Sequence, residues 1–226
     1  MDYQGELIVR DLISKSLNNL NISIPAVVVS TAKLSDGFVD VTPIVNYMNS
    51  NTRETIEYPT LHDIPLIFPT TKNSTICFPV DQGDYVSLVF QSTYVKSFSL
   101  GNTEIQDPPY PTTTDLSQAV ALVGFVPFQQ SCLNPNNYSG DFDNQDLNIV
   151  HNKNSGNEVS ISLGSDGGVT IRSNRDVNVE ASSVNIKGAR VNVDNDLTIK
   201  GRSVFDFMLR HTHVDSKGGN TTPPTL

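Results

Sequence analysis

Apolar residues recur along this chain with two different periods. Leu7, Ile8, Leu12, Ile13 and Leu17 stand at helical spacing, which predicts one amphipathic helix or arm over the first twenty or so residues, docked on a neighbour. From Ile24 the texture changes. The stretch IPAVVVSTAKLSDGFVDVTPIV is a β-rich run, a turn carrying Asp36 and Gly37, and an alternating run, which is the pattern of a hairpin. Short apolar runs follow in DIPLIFP, TICFPV, DYVSLVFQ and AVALVGFVPF, separated by Pro, Gly, Asn and Thr clusters that break helices and favour turns. Some five or six strands in roughly 110 residues predict a small barrel.

The stretch SCLNPNNYSGDFDNQDLN is dense in turn formers and reads as a linker. Beyond it the sequence repeats an apolar, a polar and an apolar residue in VSISL, VTI, VNV, VNI, VNV and LTI, with Val169, Val177, Val184, Val191 and Leu197 recurring about every seven residues. Each unit predicts one very short strand. Side chains alternate across a strand, so Val159, Ile161, Val169, Ile171, Val177 and Val179 begin one dry face, continued by Val184, Ile186, Val191, Val193, Leu197 and Ile199. Ser160, Thr170, Arg172, Asn178, Glu180, Asn185, Lys187, Asn192, Asp194 and Lys200 make the wet one.

A lone ribbon of such strands would leave most of that face in water and its edges unpaired. Three copies wound around one axis bury every inward face, so a narrow intertwined β-prism is expected ahead of a single-chain β-helix or a sandwich of tiny strands. The expected organisation is an arm at 1–22, a barrel at 23–131, a linker at 132–157, a trimeric shaft at 158–207 and a tip at 208–226, all-β apart from the arm.

Composition narrows the function. The chain has 226 residues, is 37% hydrophobic, lacks tryptophan and carries a formal net charge of -9. That charge repels phosphate backbones, so nucleic acid is not an expected partner. The start, MDYQGELIVRDLISKS, mixes Asp2, Glu6 and Asp11 into its apolar residues, so neither a signal peptide nor a membrane span is expected there, and synthesis in a cytoplasm is. Cys77 and Cys132 have no metal or redox spacing; buried packing is expected of Cys77 and nothing particular of Cys132.

The candidate chemistry lies in the ending RHTHVDSKGGNTTPPTL. An isolated pair of histidines in a polar tail is most often just solvated. Beside a threefold shaft the pair changes meaning: His211 and His213 from three chains present six imidazoles, enough to surround one metal ion. All-nitrogen octahedral coordination suits iron, nickel or cobalt better than zinc or calcium. If the segment is extended, Phe205, Phe207, Leu209, His211 and His213 share one face; a short helix begun at Ser203 is equally permitted.

No catalytic arrangement is evident. Asp81, Asp84, Asp141, Asp143, Asp146 and His151 have no paired-carboxylate, nucleophile-elbow or phosphate-loop context, and solvated turns account for them, so the protein is not expected to be an enzyme. His62, with only Asp63 beside it, reads as a turn or packing residue.

Three parts of the chain together resemble the central spike, or membrane-piercing needle, of contractile phage tail baseplates. They are YPTLHDIPLIFPTTKNSTICFPVDQGDYVSLVFQS with TTTDLSQAVALVGFVP, then the Val-x-Val/Ile repeats, then HTH followed by GGNTTPP. The resemblance implies an OB-fold collar, an intertwined trimeric β-helical shaft and an apex holding one iron ion per trimer through His211 and His213. It also implies a virion location at the baseplate tip, baseplate or tail-tube proteins as partners of the N-terminal part, and the host outer membrane as target. The family's barrel often carries a tryptophan after the GDYVSLVF region; here Phe98 is the nearest large aromatic. A trimeric adhesin or receptor-binding fibre would share such a shaft, although only about thirteen residues follow His213, little for a binding head.

Overall fold

The computed structural model describes residues 8–10, 12–13, 22–48, 52–105, 107, 115–138, 142–188, 190–195, 197–212 and 216–220. The chain divides into two compact units, residues 1–175 and 176–226. Residues 8–10 and 12–13 are helical, as the spacing predicts; Leu7 and Leu17 lie outside the described residues.

The first unit is built on a closed five-stranded barrel. β1 (Ser23–Ser30) and β2 (Phe38–Pro43) form the expected hairpin, and Gly37 takes the left-handed conformation its turn needs, with φ of 87°. A small hairpin of β3 (Tyr47–Met48) and β4 (Thr55–Ile56) follows, then β5 (Leu61–Ile67), β6 (Tyr85–Phe90) and β7 (Ala119–Val123). Around the barrel the order is β1-β2-β5-β7-β6, with β6 closing onto β1. All pairings are antiparallel except β5 with β7, which joins in parallel at Leu66–Ala121 and Ile67–Leu122. Alternate residues fill the interior: Ile24, Ala26 and Val28 from β1, Val39 and Val41 from β2, Val86, Leu88 and Phe90 from β6, and Ala119 and Ala121 from β7.

On β5 the inward residues are Leu61 and Ile64, an odd spacing that a regular strand cannot deliver. Asp63 absorbs the extra residue with a φ of 56°, and the register with β2 shifts between Val39 and Val41. TICFPV does not become a strand; only an isolated bridge, Thr70 with Thr75, forms there. Two prolines, Pro69 and Pro79, bracket that segment and remove ladder donors. Val80 still enters the core, but Cys77 is exposed, contrary to the packing role expected of it.

Still in the first unit, β8 (Leu147–His151), β9 (Val159–Leu163) and β10 (Val169–Ser173) form an antiparallel sheet in the order β10-β9-β8. β8 lies inside the segment read as a linker. In the second unit β11 (Thr198–Ile199) pairs with β12 (Arg202–Ser203), and among the described residues from 174 to 197 there is no strand. The short units predicted there have no neighbouring ladder within one chain to hold them. The segment after β12 is not extended: Val204–Arg210 is a helix, capped by Ser203, whose hydroxyl accepts from the Asp206 N–H at 2.9 Å.

Candidate functional site

The three-stranded sheet sorts its side chains by chemistry. Registered pairing aligns Leu147, Leu163 and Val169 in one row and Ile149, Ile161 and Ile171 in the next. These six, with Val159, make an aliphatic face, and every member of it is 38% to 67% exposed. The opposite face carries Asn148, Ser162 and Thr170 in one row and Val150, Ser160 and Arg172 in another. This polar face is half-buried on β8 and β9, at Asn148, Val150, Ser160 and Ser162, and exposed on β10, at Thr170 and Arg172. Tyr138 and Phe142, stacked with ring centroids 4.0 Å apart, line a groove over it with Asp143, Asp146 and Glu158. Asp146 accepts from the Ser162 hydroxyl and the Ser165 N–H, and the Asn148 amide donates to the Asp143 and Asp146 carbonyls. A sheet standing alone would cover its apolar side first; the inversion leaves a contiguous aliphatic surface of the kind that marks an interface.

In the second unit the same alternation in sequence leaves its aliphatic residues exposed. Val177, Val179, Val184, Ile186, Val191 and Val193 are 51% to 71% exposed, and Leu197 and Ile199 are exposed as well. Leu147 and Ile149 were hidden from the sequence reading by the polar stretch before them, although the alternation in LNIV is the same signal that marks the later repeats.

At the end of this run, helix Val204–Arg210 presents His211 as its C-cap. The ring stacks on Phe207 at a centroid distance of 5.3 Å, and Nδ1 lies 3.1 Å from the Phe207 carbonyl and 3.0 Å from the Met208 carbonyl. Carbonyls only accept, so Nδ1 is the donor in these contacts; a neutral ring held this way has its lone pair on Nε2, the arrangement a metal-ligating imidazole needs. His213 lies outside the described residues. The extended alignment of Phe205, Phe207, Leu209 and His211 gives way to the helix, whose first turn has a free N–H satisfied by the Ser203 cap. Among the described residues no group of three or more His, Cys, Asp or Glu could hold a metal.

The acidic residues set aside above serve turns. Asp84 accepts from the Asp81 N–H, and Asp143 from the Gln145 N–H; His151 ends β8, and Asp141 lies outside the described residues. His62 sits on β5 rather than in a turn, its Nδ1 3.1 Å from an Asp40 carboxylate oxygen. The other oxygen of Asp40 accepts from the Asp63 N–H at 3.0 Å, and Asp63 pairs with Lys33. The Asp63 N–H holds the Asp40 carboxyl below the usual carboxylate range, with His62 and Lys33 adding to that pull and burial opposing it.

Residues 24–124 match the family model of the phage protein Gp138 N-terminal domain, a span that coincides with the barrel from β1 to β7. The match supports a phage structural protein. A virion-associated location goes with it. No curated protein matches the chain.

Proposed function

We propose that the chain is one subunit of a trimeric cell-puncturing spike at the tip of a phage tail baseplate, which pierces the host outer membrane mechanically as the tail contracts. The observation that carries this reading is the bare aliphatic face of β8, β9 and β10, together with the exposed aliphatic residues that repeat its alternation in sequence from Val177 to Ile199. Three copies wound together would bury that face and pair the short repeats that lack neighbours in one chain, giving a narrow shaft able to concentrate force. The barrel's strand order, with its one parallel seam between β5 and β7, supports the collar as an OB-fold.

His211 and His213 from three chains would hold one iron ion per trimer. The ring orientation of His211, with Nδ1 held by two carbonyls, fits that role. Fully ligated, the ion supplies a clamp on three chain ends and leaves no position for substrate, in keeping with a mechanical protein rather than an enzyme. Baseplate or tail-tube proteins are the partners proposed for the N-terminal part, and no nucleic acid is.

Phage supplied only with the Val179→Asp/Ile186→Asp chain, which is expected not to assemble, test the reading as particles without a working spike. Particles that adsorb to cells but fail to permeabilise the outer membrane are expected. Normal infection would overturn it, and loss of adsorption itself would favour a receptor-binding fibre.

A further inference from the structure

The N-terminal helix has an apolar side that its own chain leaves uncovered. Ile8, Leu12 and Ile13 are 61%, 62% and 54% exposed. Ile8 and Leu12 are four residues apart, as are Val9 and Ile13, so the four form one stripe, and Arg10 falls at its border.

The barrel offers a groove of matching chemistry. It has a volume of about 430 Å³, is lined by Phe38, Leu66, Ile67, Phe98 and Val120, and has Asp36 on its wall. Phe98 and Ile67 remain 67% and 40% exposed there. The groove runs along the barrel's shortest seam, where β5 and β7 pair at only two positions, so a helix laid over it would brace the point where the ladder is thinnest.

We propose that the N-terminal helix of one copy docks, stripe inward, in the barrel groove of a second copy, with Arg10 set toward the Asp36 carboxylate. The second copy rests on the multi-chain reading above. Three features select this occupant. The stripe is bare on its own chain, the border charges are opposite, and each chain carries one such N-terminal helix and one such barrel groove, so an exchange around a closed ring leaves none unfilled.

The test uses the full chain with its two exposed cysteines removed, Cys77→Ser and Cys132→Ser, carrying Leu12→Cys and Phe98→Cys together. On mild oxidation, chains linked to chains are expected on a non-reducing gel, while either cysteine alone leaves mostly single chains. Adding Asp36→Lys should lower the linked fraction several-fold, and Arg10→Glu in that background should restore it. A disulfide within one chain, shown by mixing isotope-labelled and unlabelled protein, overturns the exchange. So does the absence of a link in protein whose native mass is that of several chains, which would assign the groove to another partner. A native mass of one chain overturns the multi-chain reading along with it.

Discussion

Asp63 adopts a left-handed backbone that a β-strand residue other than glycine rarely takes, and the polar contacts around it hold it there. Asp40 is central to that support, accepting from the Asp63 N–H and facing His62. Because its carboxyl is held below the unfolded value of about 4, its contribution to stability is fully present above that pH and is lost as pH falls through the folded value. Asp40→Asn is therefore expected to cost about 1 kcal/mol at neutral pH and less in acid; thermal melts at pH 7 and pH 3 check this, and an equal loss at both would contradict it. Deeper in the barrel, Leu88 is fully buried, so Leu88→Ala should cost about 2 to 5 kcal/mol by denaturant titration. His211→Ala should abolish iron retention in metal-replete protein, read by elemental analysis, while the native mass stays unchanged, because cohesion comes from the aliphatic faces.

Among the elements, the repeats give the sharpest contrast. Val179→Asp or Ile186→Asp would set three carboxylates together in a dry interior and is expected to prevent assembly, whereas Asn178→Asp or Asn185→Asp faces water and should be tolerated. Light scattering on both sets decides it, and equal behaviour would mean that the alternation does not separate inside from outside. The barrel strands were legible wherever apolar alternation was bounded by turn formers, as in IPAVVVS and DYVSLVF. The pattern failed where another force outweighed it: Pro69 and Pro79 interrupted the ladder around TICFPV, and Asp63 reset the parity of β5. In VFDFMLR the two periods fit equally well, and the local cap at Ser203 settled it as a helix. Removing that cap, Ser203→Ala, should cost the helix about 0.5 to 2 kcal/mol.

For the whole molecule, the division of labour follows from where apolar surface is spent. The barrel buries its own core and spans the residues that match a phage domain. The repeats expose theirs from Leu147 onward, and no arrangement of a single chain described here covers it. That contrast was partly readable beforehand: periodicity revealed which residues share a face, but not that the polar side of β8 and β9 would be the one partly covered, since this depends on Tyr138 and Phe142 folding back from a turn-rich stretch. The central claim is that three copies share the aliphatic face around one axis. Native mass spectrometry of the metal-replete full chain tests it most directly: the account predicts a single species of three chains with one iron ion, and a species of one chain would contradict it.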